Sequence, residues 1–325
     1  MTAMFPEELA TLEADLLSGL AAVEERLRAE ITSEYELADI TARHLVEAGG
    51  KRFRPLLVLL ASRFGDWQAE GVIPAAVVVE LTHLATLYHD DVMDEAPVRR
   101  GAQSANSRWG NTVAILSGDF LFARSSKLLA DLGPDAVRVQ AETFERLVIG
   151  QLSESVGPQP EQDPVEHHLQ VLADKTGSLI AAAGRYGAMM SGVSAELTDL
   201  IANFGEAIGI AFQLSDDLLD IESDVSGKTP GTDLREGIRT LPVLLALAHP
   251  DTDETLRNLL SRPLPDDAEH ALALEGLRAH PAMDQARAVL DSWVEKARQA
   301  LAPLPDGDVK LALETLCSGI ANRSI

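Results

Sequence analysis

Pro74-Ala75-Ala76-Val77-Val78-Val79-Glu80-Leu81-Thr82-His83-Leu84-Ala85-Thr86-Leu87-Tyr88-His89-Asp90-Asp91-Val92-Met93-Asp94 is the stretch that decides the fold. Pro74 suits the opening of a helix, and the long apolar run behind it predicts a buried helix. That helix ends in three carboxylates with the spacing D-D-x-x-D. The spacing returns in Asp216-Asp217-Leu218-Leu219-Asp220, at the end of a second helix-compatible run from Leu197 to about Ile221. One such cluster reads as an ordinary solvated helix end. Two copies, far apart and each carried by a buried-looking segment, point to facing carboxylate clusters that hold divalent metal ions. Hard oxygen ligands favour Mg²⁺.

On a helix, residues four apart share a face, roughly 5–6 Å apart at Cβ. Asp90 therefore pairs with Asp94, and Asp216 with Asp220. Asp91 and Asp217 lie about 100° around the axis, placed either to complete a coordination shell through water or to stand behind it. Crowded carboxylates repel one another. Metal ions remove that cost and leave open positions for substrate oxygens.

The composition agrees with helices. The chain has 325 residues, 46% hydrophobic but only 4% aromatic, and much of the apolar content is Ala and Leu. Both are good helix formers. No run alternates β-branched and polar residues between hairpin turns, so the expected fold class is all-α, a helical bundle. Helical spacing runs from Pro6 to Ala48, with Gly49-Gly50 as a stop. Further helices are expected from Arg54-Pro55 through Leu60, from Ala75 to Asp94, from Gly118 to Leu132, from Ala136 to Ser155 and from Val165 to Gly192. Gly157 to Pro164 reads as a surface loop, and Ser223 to Thr232 as a loop carrying Lys228. No break is long enough for an interdomain linker, so one domain over residues 1–325 is expected.

A formal net charge of −24 argues against a nucleic-acid binder and gives no support to an electrostatic membrane anchor. An acidic chain that handles an anionic substrate needs metal ions or a few placed cations. Cys317 is the only cysteine, which excludes an intramolecular disulfide and a cysteine-based zinc site. The stretch from Met1 to Asp15 lacks the basic start and apolar core of a signal peptide. No stretch is expected to reach the ~20 apolar residues of a spanning helix, and the expected location is cytoplasmic.

The cations are placed rather than scattered. Gly49-Gly50-Lys51-Arg52-Phe53-Arg54-Pro55 packs three into one tight turn, and Arg99-Arg100-Gly101 follows the first acidic cluster. Such groups suit a second anion that lacks metal, where surface solubility is the plainer alternative. His83 lies one helical face from Asp90. His89 reads as a neighbour of the cluster, His167-His168 as surface, and Trp109 and Trp293 as packing residues.

Taken together, these residues resemble the trans-isoprenyl diphosphate synthases, or polyprenyl synthetases. The likeness runs through Gly49 to Pro55, His83 to Gly101, Gly118-Asp119, Lys175-Thr176-Gly177, Phe212 to Asp220, Gly227-Lys228, Asp233 to Gly237 and Thr240-Leu241-Pro242. It covers roughly residues 40–245 in order and spacing. The resemblance implies an all-α bundle around a central cavity, a homodimer, and head-to-tail condensation of an allylic diphosphate with isopentenyl diphosphate. It implies Mg²⁺, three ions with substrate bound, with Asp90, Asp94 and Asp216 as leading ligands and Asp91, Asp217 and Asp220 supporting. Arg99, Lys175, Thr176, Gln213 and Lys228 would face the allylic substrate. Lys51, Arg54, His83 and Arg100 would hold isopentenyl diphosphate. Asp90, Asp94, Lys175, Thr176, Gln213 and Asp216 would form the catalytic set. One departure stands out: Ile238 occupies a position where many relatives carry Lys, and Arg239 follows it.

Three rival readings remain from the sequence: a geranylgeranyl (C20) synthase, a class I terpene cyclase, and a non-catalytic subunit of a heteromeric synthase. A cyclase mixes Asn, Ser or Thr with Glu in its second metal motif and has no use for the turn at Lys51 to Arg54. A non-catalytic subunit tends to lose an acidic cluster, and both are complete here. Within the resemblance, product length depends on Thr86, Ala85 and Thr82, which lie four, five and eight residues before Asp90. Small residues at the first two positions leave room for a chain longer than C15, with C30–C50 for a quinone side chain expected. Ala85→Phe should therefore shorten the products made from a fixed primer. Unchanged product length, read by reversed-phase chromatography, would mean that Ala85 does not line the path.

Overall fold

The computed structural model describes residues 5–222 and 230–322. The fold is all-α. In chain order the helices are α1 (Ala10–Glu30), α2 (Glu36–Glu47), α3 (Phe53–Ser62), α4 (Val72–Met93), α5 (Ala105–Trp109), α6 (Asn111–Leu132), α7 (Pro134–Val156) and α8 (Pro164–Leu172). A π-helical turn, Ala173–Gly177, leads from α8 into α9 (Ser178–Met190). Then come α10 (Ala195–Glu222), α11 (Thr232–Glu236), α12 (Leu241–Ala248), α13 (Glu254–Leu259), α14 (Asp267–Arg278), α15 (Ala282–Leu301) and α16 (Asp308–Ala321).

The chain separates into two compact units. The first holds Met1–Phe144, Leu179–Ala202 and Leu304–Ala312; the second holds Glu145–Ser178, Asn203–Pro303 and Leu313–Ile325. In the first, α4 is the central element and packs along α6 and against α1 and α3. Its buried residues run almost all round the axis, from Val72 and Ala75 through Leu81 and Thr82 to Leu84, Ala85 and Tyr88. A helix buried on every side needs a near-continuous apolar sequence, and this one has it. In the second unit α12 packs on α15 and α8, and α14 packs on α11 and α13.

Several helix boundaries differ from the sequence expectation, each for a local reason. The run from Pro6 to Ala48 breaks at residues 31–35. There Thr32 Oγ1 donates to the Arg28 carbonyl (3.0 Å), and Ser33 N donates to Asp39 Oδ1 (3.1 Å). Such side-chain bonds compete with the helical ladder. Pro74 sits in the third position of α4, still within the first turn, where a missing N–H removes no helical bond. Gly118 is interior to α6. A Cβ there would lie 2.4 Å from His89 Nε2 and 3.0 Å from the Ala85 carbonyl, so the glycine lets α4 and α6 close on each other. The segment expected as one helix from Val165 to Gly192 is interrupted by the π turn.

A two-residue hairpin, β1 (Val98–Arg99) and β2 (Ala102–Gln103), is an addition to the helices expected from sequence. Its loop residues Arg100 and Gly101 have φ of 53° and 77°, the pattern of the tight turn that matches strand twist. By length and composition alone α4 passes for a membrane-spanning helix, but 67% of its apolar window is buried inside the protein, as in the core helix of a globular fold. Tyr88 points away from the acidic face: it is fully buried, donates to the Thr41 carbonyl and accepts from Leu45 N (3.3 Å).

Close helix contacts depend on glycine. A Cβ on Gly187 would lie 2.1 Å from the Val58 carbonyl and 2.9 Å from the Ala61 Cβ. Gly187→Ala should therefore lower stability by about 1–3 kcal/mol through overpacking of α9 on α3. The urea midpoint measures this, and an unchanged midpoint would contradict the packing.

Candidate active site

In the first unit the acidic cluster forms the end of α4. Asp90 is half-buried, Asp91 is 0% exposed and Asp94 is exposed at the C-cap. The middle carboxylate thus turns inward while its same-face neighbours lie toward solvent. Asp91 Oδ1 accepts from Arg99 Nε at 2.6 Å, and Asp91 Oδ2 is buried without a hydrogen bond among the described residues. Burial raises the Asp91 pKa, and Arg99 opposes that rise. Arg99, expected against the allylic substrate, is therefore occupied by a carboxylate.

The hairpin turns its second arginine elsewhere. Arg100 Nη1 donates to the carbonyls of Leu45 (3.1 Å) and Gly49, and its Nη2 lies 3.9 Å from Glu80 Oε1. Arg52 opens α3 with φ of 49° and is buried. It pairs with Glu80 (2.8 Å) and Glu24, and donates to the Val46 carbonyl (3.2 Å). A Cβ on Gly50 would fall 3.0 Å from Arg52 Nη1 and 3.1 Å from Arg100 Cζ, so glycine leaves the two guanidiniums room to close over the loop. Arg54 is half-buried, and its Nε is a buried donor with no partner among the described residues. Burial pulls its pKa down to about 10, against the attraction of Glu80, so it stays charged at neutral pH. His83 is held well below its ordinary value by burial, and then by Arg54, Arg100, Arg52 and Arg99, so it is neutral. Lys51 is exposed beside them.

Among the described residues, cations here outnumber the carboxylates that face them, and a buried guanidinium N–H lacks an acceptor. An unpartnered buried donor of this kind is costly unless a ligand supplies the acceptor. Sequence reasoning missed Arg52, Glu24 and Glu80. Glu80 left a signal, since it is the one carboxylate between Val72 and His89, and buried charge is rare unless paired.

In the second unit, Asp216 is exposed, Asp217 buried and Asp220 half-buried at the end of α10. Asp217 lies 3.3 Å from His168 Nε2 and accepts from Gln213 Nε2 at 3.4 Å. His168, expected at the surface, is instead turned inward onto this carboxylate; the reason is that α8 brings its inner face to the end of α10. The Asp220 carboxylate accepts the backbone N–H groups of Thr232 and Asp233, both at 3.2 Å, and so ties the start of α11 to the cluster. Lys228 lies outside the described residues. Ile238 is exposed, and Arg239 donates to the Ser261 carbonyl (3.3 Å).

Lys175 and half-buried Thr176 ride on the π turn. Such turns cluster at functional sites because they re-aim side chains within a helix. This one is braced by Arg146, which donates to Asp174 (2.7 Å) and to both oxygens of Glu206 (2.9 and 3.2 Å). Lys175 pairs with Glu154. Gly150 allows the approach, since a Cβ there would lie 2.9 Å from Lys175 N.

Among the described residues, no three acidic, histidine or cysteine side chains converge into a complete metal-holding group. The inward turn of Asp91 and Asp217 leaves each helix with the same-face carboxylates of the i, i+4 pair. Their hard oxygens fit a divalent ion whose remaining ligands come from water and substrate. On α4, Ala85 and Thr82 are fully buried, and Thr86 is half-buried with its hydroxyl on the His83 carbonyl (2.8 Å).

The Polyprenyl synthetase family model matches residues 36–275. A nonaprenyl diphosphate synthase of Mycobacterium tuberculosis is 49% identical over 97% of this chain and 95% of its own length. A solved geranylgeranyl pyrophosphate synthase from Corynebacterium glutamicum, complexed with calcium and isoprenyl diphosphate, superposes with a TM-score of 0.87. It is 47% identical, over 97% of this chain and 98% of its own. A decaprenyl diphosphate synthase from Rhodobacter capsulatus superposes with a TM-score of 0.88 at 33% identity, over 97% of this chain and 99% of its own. Sequence and fold agree: this chain belongs to the polyprenyl synthetase family and is a prenyltransferase.

Proposed function

We propose that the protein condenses isopentenyl diphosphate head-to-tail with an allylic diphosphate such as farnesyl or geranylgeranyl diphosphate. The product is a trans-polyprenyl diphosphate longer than C15, in the C30–C50 range suited to a quinone side chain. The observation that carries this reading is the guanidinium cluster of Arg52, Arg54 and Arg100, with its unpartnered Arg54 Nε beside neutral His83. A diphosphate supplies the acceptors that this cluster lacks. The family match spans both compact units, which supports their acting as one polyprenyl synthetase domain over residues 1–325.

On this reading Lys51, Arg54 and Arg100 hold the isopentenyl diphosphate, and His83 donates a hydrogen bond without adding charge. Asp90, Asp94 and Asp216 hold Mg²⁺, three ions with substrate bound, backed by Asp91, Asp217 and Asp220. The metal, when bound, neutralises charge on the leaving diphosphate. Lys175 and Lys228 add positive charge to the same leaving group, with Arg99 available once it exchanges Asp91 for phosphate. Thr176 and Gln213 present oxygen dipoles to the allylic cation that remains when the C–O bond breaks. The terminal carbon of the isopentenyl double bond then forms the new C–C bond. That bond leaves a tertiary cation on the methyl-bearing carbon of the former double bond, and the neighbouring CH2 on its other side loses a proton to the departed diphosphate, forming the new double bond. Water must stay out, or it would capture the cation.

Val137, Phe144, Val148 and Leu152 are exposed on α7, and Ile115 and Leu116 on α6. These uncovered apolar side chains support a homodimer. A cytoplasmic location is part of the same proposal, supported by Cys317, which is buried and unpaired.

The test is activity of the isolated chain with Mg²⁺, isopentenyl diphosphate and either primer. Polyprenyl diphosphates longer than C15 are expected. Products that stop at C15 would overturn the length assignment. Cyclic hydrocarbon would favour a terpene cyclase, and activity only with a second subunit would favour a regulatory partner.

A further inference from the structure

Three helices of the first unit meet in a polar layer beneath Ala85. Thr82 Oγ1 on α4 donates to the Val78 carbonyl (2.9 Å) and accepts from Gln140 Nε2 on α7 (2.9 Å). Ser125 Oγ on α6 lies 3.4 Å from the same hydroxyl. Thr82 and Ser125 are buried in an otherwise apolar packing. Gln140 Oε1 is buried with no hydrogen bond among the described residues. Nearer the acidic cluster, the same three helices contribute a different layer. The rings of His89 and Phe122 lie 5.8 Å apart, and those of Phe122 and Phe144 lie 4.6 Å apart edge to face.

We propose that Gln140 is a specificity-determining residue, and that its amide marks where the growing prenyl chain stops. This rests on the prenyl-elongation reading above, in which the chain runs from Asp90 back along α4. Thr82 lies eight residues before Asp90, about 12 Å at 1.5 Å per residue. Small Ala85 and Thr86 let the tail pass. Burial among the apolar side chains of α4 and α6 then stabilises each added unit. At the Thr82–Ser125–Gln140 layer that gain ends. A hydrocarbon tail offers nothing to the Gln140 carbonyl oxygen, and moving further requires the Gln140–Thr82 hydrogen bond to open in an apolar setting. Elongation past this point is disfavoured and the product is released. No local spacing in the sequence points to Gln140, because it lies fifty residues from Asp90 and only the packed helices bring it to Thr82.

The experiment compares wild type, Gln140→Met and Gln140→Ala, with Mg²⁺, isopentenyl diphosphate and farnesyl diphosphate, by mass spectrometry of the products. Gln140→Met keeps length and volume and removes the amide. Its products should be longer by about one isoprene unit or more, as expected when a polar barrier is lost. Gln140→Ala should move in the same direction; should the Met variant misfold by circular dichroism, Gln140→Leu, which also removes the amide and keeps the bulk, takes its place. A wild-type product distribution from folded, active variants would overturn the inference. Lengthening in Gln140→Ala but not in a folded Gln140→Met would place the limit in bulk rather than in the amide, and would also overturn it. An inactive wild-type chain would instead sink the elongation reading, so the two failures are distinguishable.

Discussion

The first unit is organised by one buried carboxylate. Glu80 is 2% exposed in the middle of α4, and Arg52, Arg100 and Arg54 gather around it. The pair with Arg52 is buried on both sides, and opening such a pair costs about 3–5 kcal/mol because the remaining charge is stranded. That cost fixes the loop from Gly49 to Arg52 against α4. It also explains why Arg52 accepts a left-handed backbone. With Arg52 engaged by Glu80 and Glu24, Arg54 is left with an unfilled donor. The ion pair is thus structural, and the unfilled donor of Arg54 is its by-product.

The same sorting of charge runs through the acidic clusters. Each D-D-x-x-D places its middle residue inward, where Asp91 meets Arg99 and Asp217 meets Gln213 and His168. Of the outer residues, Asp94 and Asp216 are exposed and Asp90 and Asp220 half-buried. A chain with a net charge of −24 repels diphosphates at long range. Under the proposed function, two of them would be held by different local remedies: metal ions at carboxylates for one, guanidiniums for the other. Neutral His83 fits this division, because a protonated imidazole among four arginines would be strongly disfavoured.

Much of this was legible in the sequence because it depends on local spacing. The apolar run from Ala75 to Tyr88, the i, i+4 carboxylates and the glycine-punctuated basic turn all report on one helix or one loop. What was not legible depends on contacts between elements. His168 reads as surface until α8 meets α10. Arg146 reads as an ordinary helix charge until Asp174 and Glu206 close on it. The break after Ile31 was hidden because the apolar stripe continues across it, while Thr32 and Ser33 redirect the backbone through their own hydrogen bonds. Arg99 was assigned to substrate by resemblance, and only the hairpin geometry reveals its pairing with Asp91.

The central claim is that the two diphosphates are held by different physics. Calorimetric titration of isopentenyl diphosphate into the protein, in EDTA and again in Mg²⁺, tests it most directly, with an unreactive allylic thiolodiphosphate as the comparison. The account predicts that isopentenyl diphosphate binds with similar affinity in both buffers, while the allylic analogue binds only with Mg²⁺. Loss of isopentenyl diphosphate binding in EDTA would contradict a metal-free site built on Arg54 and Arg100.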